Sequence, residues 1–175
     1  IVVQGPATNV SLSGDLFGWG TTGRYRMAYN DVVEPSDGEG AVGRWGDALI
    51  PEVDQLCSQN RNAFPFDVPS GENRVIWVDV FVPTTVGSGV FADSLTLSAN
   101  GTSTQVAVTL EVLNLTIPAT SSLRSAFYLN YQSGSDDSIC RAHTGTNNCG
   151  GDATLRRTLY SMYSRLALDN RTTLA

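Results

Sequence analysis

The stretch Phe91-Ala92-Asp93-Ser94-Leu95-Thr96-Leu97-Ser98-Ala99-Asn100-Gly101-Thr102-Ser103-Thr104-Gln105-Val106-Ala107-Val108-Thr109-Leu110-Glu111-Val112 decides the fold class. Phe91, Leu95 and Leu97 fall on one side of an extended chain, and Ala92, Ser94, Thr96 and Ser98 on the other. Such period-2 alternation belongs to a strand with one buried face. Asn100-Gly101 follows, and a two-residue type I′ turn requires positive φ at both central positions, which this pair tolerates. Residues 102–113 then alternate again, with Val106, Val108, Leu110 and Val112 turned inward. The whole reads as one β-hairpin.

Upstream, residues 73–82 form the strongest single strand. Ile76, Val78, Val80 and Val82 share one face; Val75, Trp77 and Phe81 share the other, with Asp79 among them. Both faces are largely apolar, so this strand is expected to be central and covered on both sides, with Trp77 in the core. Residues 83–89 read as a turn. Residues 8–13 form a short strand, and residues 24–33 a longer one with Tyr25, Met27 and Tyr29 on one face. Between them and the strong strand, residues 34–72 are rich in Gly, Pro, Asp and Asn and read as irregular. Several strands with one-sided alternation and no helical period predict a mainly β domain over 1–118, an Ig-like antiparallel β-sandwich.

The pattern changes near Pro118. Residues 116–122 read as a linker, residues 123–131 as a strand, and the following Gly-, Ser- and Asp-containing stretch as a loop. From Asp152 the period is helical, with Leu155, Leu159, Met162, Tyr163 and Leu166 on one face. Asp152 suits the N-cap, because its carboxylate can accept from the orphan backbone donors of the first turn. One β-α unit cannot bury both of its own sides. Residues 119–175 are therefore read as the start of an α/β barrel that continues elsewhere. The start at Ile1 without Met, and the end just after the helical pattern, suit a piece of a larger protein.

Composition removes several function classes. Charged residues make up 16% of the 175, well under the roughly 25% usual in soluble domains. Their place is taken by 17 Ser, 17 Thr, 17 Gly and 11 Asn. All eleven basic residues are Arg. Without Lys there is no P-loop lysine and no Schiff-base chemistry. A net charge of −6 argues against nucleic acid as a partner. No apolar run reaches the ~18 residues of a membrane span, and no secretory leader pattern is present.

Cys140 and Cys149 bracket a Gly-, Asn- and Thr-containing stretch and read as a local disulfide; the alternative is a pair of free thiols in a cytosolic protein. Four Asn-x-Ser/Thr sequons, at Asn9, Asn100, Asn114 and Asn170, favour the first reading and an extracellular, secreted or cell-surface location. Cys57 is left over, either free and buried or paired outside this chain.

A series of motifs runs through the chain after about residue 20. It comprises Pro35-Ser36-Asp37, Gly43-Arg44-Trp45-Gly46-Asp47-Ala48-Leu49-Ile50-Pro51, Asn62-Ala63-Phe64-Pro65-Phe66, and Ile76-Trp77-Val78-Asp79-Val80-Phe81-Val82-Pro83. Gly89-Val90-Phe91 and then Val106 to Val112 follow, and Ile117-Pro118-Ala119-Thr120-Ser121-Ser122-Leu123 closes it. The series resembles the N-terminal β-sandwich of glycoside hydrolase family 123 proteins and their relatives, in which a (β/α)8 barrel follows. The first barrel strand of that family resembles residues 123–131, and its first helix resembles residues 155–168. Two departures stand out. Leu168-Asp169-Asn170-Arg171 has Asn where the family has His, and Gly46 stands where relatives usually carry Pro.

The resemblance implies a substrate-assisted mechanism on N-acetylhexosamine-containing glycans, with an adjacent Asp-Glu pair in the barrel. No Asp-Glu dipeptide exists here, so no catalytic residue is assigned. Asp136-Asp137 is the one adjacent acidic pair. It is read either as a substrate contact in a barrel loop or as a solvated acidic loop. Trp45 and Trp19 lie in Gly-rich stretches; Trp45 is a candidate carbohydrate contact, against plain loop packing, with Arg44 and Asp47 pinning its surroundings. His143, the single histidine, completes neither a zinc set with Cys140 and Cys149 nor a Ser-His-Asp triad. No metal or cofactor is expected, and the expected partner is the remainder of the same polypeptide, with glycans as a further possibility. The alternatives to an accessory sandwich are a structural or adhesive module of a filament or surface assembly, and a carbohydrate-binding module.

Overall fold

In the computed structural model, which describes residues 1–54, 58–121, 123, 125 and 138–172, the hairpin forms in the expected register. Val112 pairs with Gly89 at its open end and Thr102 with Ala99 at the turn. Asn100 and Gly101 take φ of 53° and 73°. Both therefore occupy the left-handed region that a type I′ turn demands. The Asn100 side chain also accepts from the backbone N–H of Thr8 at 2.8 Å, tying the turn to the neighbouring strand.

The described strands are β1 (Val2–Gln4), β2 (Ala7–Ser13), β3 (Thr21–Val32), β4 (Gly43–Pro51), β5 (Val53–Asp54), β6 (Gln59–Asn60), β7 (Phe66–Val68), β8 (Asn73–Phe81), β9 (Gly89–Ala99) and β10 (Thr102–Val112). Two helices follow, α1 (Ser138–Thr144) and α2 (Ala153–Asp169). The protein is mainly β. One four-stranded sheet has the order β1-β8-β3-β4, a second has β10-β9-β2-β7, and β5 and β6 form a small ribbon. Every pairing is antiparallel.

The two large sheets share one core within the unit Ile1–Leu115. The first sheet contributes Val3 and Ile76. The second contributes Ala7, Val10, Leu12, Phe66, Val68 and Leu95, and Leu16 enters from the β2–β3 connection. Each large aliphatic side chain buried this way contributes about 1.5–3 kcal/mol. Arginines also point inward from β3. Arg24 lies opposite Val78, and Arg26 opposite Ile76. Arg24 is satisfied by Glu52, Asp15 and the carbonyl of Gly14. Arg26 lies 5.8 Å over the Phe66 ring.

Two expectations fail in this unit. Residues 34–72 are not irregular throughout, since β4, β5, β6 and β7 lie there. The edge strand β4 is exposed along most of its length, so both faces meet water and no alternation is imposed on its sequence. Trp77 is not core: it is 47% exposed, and Phe81 is 67% exposed. β8 is indeed flanked by β1 and β3, but only its Ile76 face is covered.

Thr116–Ala175 forms a second compact unit. The strand expected over 123–131 lies outside the described residues, apart from Leu123 and Ser125. The stretch before α2 is not a plain loop. It holds α1 and a 3-10 turn at Asn147–Gly151, elements too short to show a hydrophobic period. Cys140 and Cys149 are joined in a disulfide. Both are buried with Ile139 and Leu159, and Tyr160 and Tyr163 pack alongside. Asp152 caps α2 as expected, accepting from the N–H groups of Thr154 and Leu155 at 2.9 Å each. On the apolar stripe of α2, Leu159 is buried while Leu155 and Leu166 remain exposed.

Candidate functional site

Pleating sends alternate residues of β8 to opposite faces, so Trp77, Asp79 and Phe81 turn away from the core that Ile76 enters. Their cross-strand neighbours on β3 are Tyr25, Gly23 and Thr21 respectively. Met27 and Leu49 pair one step further along, across β3 and β4. The outer face of this sheet thus carries three aromatic rings around one carboxylate.

Gly23 shapes this face. A β-carbon there would stand 2.8 Å from Tyr25 Cε2 and 2.9 Å from the Tyr25 hydroxyl. The end of the phenol ring therefore reaches over the bare backbone of Gly23. Met27 lies over Gly46 in the same manner. Trp77 Nε1 donates to Asp79 Oδ1 at 2.5 Å, which fixes the indole along its strand. Tyr25 is half-buried, and burial together with the neighbouring Asp79 carboxylate raises its phenol above the ordinary value. At neutral pH the hydroxyl keeps its proton and can donate.

The second sheet presents an outer face of different chemistry. Ser94 donates to Gln105, Gln105 donates to Thr96, and Ser98 and Ser103 share a 2.7 Å hydrogen bond. These side chains satisfy one another across β9 and β10, and the face is small and polar.

The sequence-predicted residues fall as follows. Trp45 lies on β4 rather than in a loop, is 53% exposed, and donates from Nε1 to the Ala41 carbonyl at 3.0 Å. Its neighbours do pin the strand. Arg44 binds Asp31 and Glu72, and Asp47 accepts from Asn30. The Arg44 guanidinium holds the Asp31 carboxyl below its usual range, by hydrogen bonding first and by charge second. Trp19 joins a second aromatic cluster, stacked on Phe17 at 5.3 Å and edge-on to Phe91 at 5.3 Å. Asp93 fastens that cluster by accepting from the N–H of Phe17 at 2.6 Å and of Ser94 at 2.7 Å. Those two bonds, Phe17 foremost, lower the Asp93 carboxyl.

Asp136, Asp137 and Cys57 lie outside the described residues. Asn9, Asn100, Asn114 and Asn170 are all exposed. The Asn170 amide is engaged at the end of α2, donating to the Leu166 carbonyl at 2.8 Å. His143 sits in α1, not in a loop, with Nε2 3.2 Å from the Tyr163 hydroxyl. Among the described residues no three His, Cys, Asp or Glu side chains converge as a metal site. No described helix is long and apolar enough to cross a membrane.

The structure therefore brings together Tyr25, Trp77, Asp79 and Phe81, which the sequence places on two separate strands with no functional role. The available signal was Asp79. A carboxylate in the middle of an apolar face marks that face as one that meets water. Compared with known proteins, the chain is matched by no family model and by no curated sequence.

Proposed function

We propose that this chain is the accessory β-sandwich region of a secreted glycoside-hydrolase-like protein acting on N-acetylhexosamine-containing glycans. The remainder of that polypeptide, a (β/α)8 barrel, is its partner and holds the catalytic acids. The motif series carries the reading. Its segments at 43–51, 76–83, 89–91 and 106–112 fall mainly on β4, β8, β9 and β10 of one β unit, which would be Ig-like. Those at 35–37 and 62–66 fall mainly in its connections, and the closing segment lies just past the change of unit at Leu115. The disulfide supports an extracellular setting, since such bonds persist in oxidising compartments. The exposed Leu155 and Leu166 of α2 suit a helix that packs against further repeats. The chain itself is catalytically inert, because it contains no Asp-Glu pair. Assayed on aryl N-acetylhexosaminides, the chain alone gives no turnover, whereas the protein extended through its barrel does. Turnover by the chain alone, or none by the extended protein, refutes the reading.

A second reading, a structural or adhesive module of a filament or surface assembly, draws on the hydroxyl and amide ladder of β9 and β10. Further sandwiches downstream of Ala175, in place of barrel repeats, would favour it.

A further inference from the structure

We propose that the outer face of the first sheet, at Tyr25, Trp77, Asp79 and Phe81, binds the flat face of a neutral, β-linked pyranose chain. Three observations lead there. First, the rings are held for display. Tyr25 reaches over Gly23, and Trp77 is fixed by its bond to Asp79. A pyranose with equatorial substituents offers a face of C–H bonds, and the electron-rich face of an aromatic ring is its complement. Second, polar groups sit among the rings. Asp79 Oδ2 has no protein donor among the described residues, and the Tyr25 hydroxyl keeps its proton. Together they offer an acceptor and a donor to sugar hydroxyls, the few placed polar groups that orient a ligand on an apolar surface. Third, the charge selects the ligand. The inward arginines Arg24 and Arg26 are engaged on the opposite side of the sheet, the N-terminal ammonium of Ile1 is taken up by the Ile76 carbonyl at 2.9 Å, and the side-chain charge set between Trp77 and Phe81 is the negative Asp79. A polyanionic glycan would be repelled, whereas a neutral one would not. Pairing across β3 and β8 lines the rings up along two adjacent strands, as an extended chain requires.

This surface goes beyond the accessory-region reading and does not depend on it, because binding is read without any turnover. The test is affinity electrophoresis of the 175-residue chain in gels containing hydroxyethyl cellulose, glycol chitin or alginate. Unfolding midpoints are recorded for every variant. The wild type is retarded by at least one of the two neutral polymers and not by alginate. Trp77→Ala weakens that binding about tenfold, equivalent to about 1.4 kcal/mol. Phe81→Ser and Asp79→Asn, both at exposed positions, also weaken it and keep the proposal testable if Trp77→Ala does not fold. Ser98→Ala, on the other sheet, leaves binding unchanged. Absence of retardation by both neutral polymers overturns the proposal. Equal retardation by alginate, or folded variants that bind like wild type, overturns it as well.

Discussion

Opening the Cys140–Cys149 bond should melt the helical unit of the chain. The bond closes a loop with a sequence separation of 9. Chain-entropy arithmetic for that loop gives roughly 2.6 kcal/mol at 25 °C. The other buried residues of the same cluster are Ile139 and Leu159. At about 1.5–3 kcal/mol each, those two supply about 3–6 kcal/mol against the ordering of the segment. The disulfide is thus comparable to the burial of those two described side chains. With a urea m-value of about 1 kcal/mol/M, its loss equals a fall of about 2.6 M in midpoint. A unit spanning only Thr116–Ala175 is marginal by its size and has little more than that to lose. The assay is ellipticity at 222 nm, which reports α1 and α2, alongside tryptophan emission. All three tryptophans lie in the β unit, so emission serves as the internal reference. Reduction, and independently the Cys140→Ala/Cys149→Ala pair, should abolish most helical signal without denaturant while leaving the emission midpoint in place. An unchanged helical transition under both treatments would refute the reasoning, because the core would then hold the helices unaided.

Three further outcomes follow from single contacts. Gly101→Val places a β-branched side chain at φ of 73° and should lower the unfolding free energy of the β unit by about 1–2 kcal/mol, measured by urea unfolding followed by tryptophan emission. Asp152→Ala removes the acceptor for two backbone donors of α2 and should cost about 1 kcal/mol of helical stability in the 222 nm transition. Asp93 has a depressed folded pKa, so its contribution is present above its unfolded pKa and is lost as pH falls through the folded one. The melting temperatures of wild type and Asp93→Asn should therefore differ at neutral pH and draw together only as the pH falls below the ordinary aspartate range; a gap that widens on acidification would contradict the assignment.

The hairpin was legible because one face of it is buried and the other is not. That asymmetry forces alternation, and Asn100-Gly101 supplies the turn without help from the rest of the fold. The N-cap at Asp152 was legible for the same reason, being a local bargain between one carboxylate and the next few N–H groups. β4 was illegible because it is an exposed edge strand. Its residues answer to cross-strand partners such as Asn30 and Asp31, and nothing in a single sequence names those partners. The disulfide was one of two open alternatives, since spacing alone does not fix the distance between thiols. Helix α1, at seven residues, gave no period to read.

Trp77 exposes a more general limit. Apolar residues on both faces of a strand have two physical explanations, burial on both sides or display on one. Local sequence scores them alike, because Val75, Trp77 and Phe81 favour a pleated strand in either case. The distinction lies in what accompanies them. A covered face must satisfy any carboxylate it encloses with charge or several donors. Asp79 has one indole donor and solvent. A glycine opposite it would weaken a packed face by leaving a void, yet Gly23 is filled by a ring folded back from Tyr25. Both residues are costly in a core and useful on a display surface. The pairing Gly23↔Asp79 is thus the feature that separates the two explanations, and it becomes visible only once the register of β3 against β8 is known.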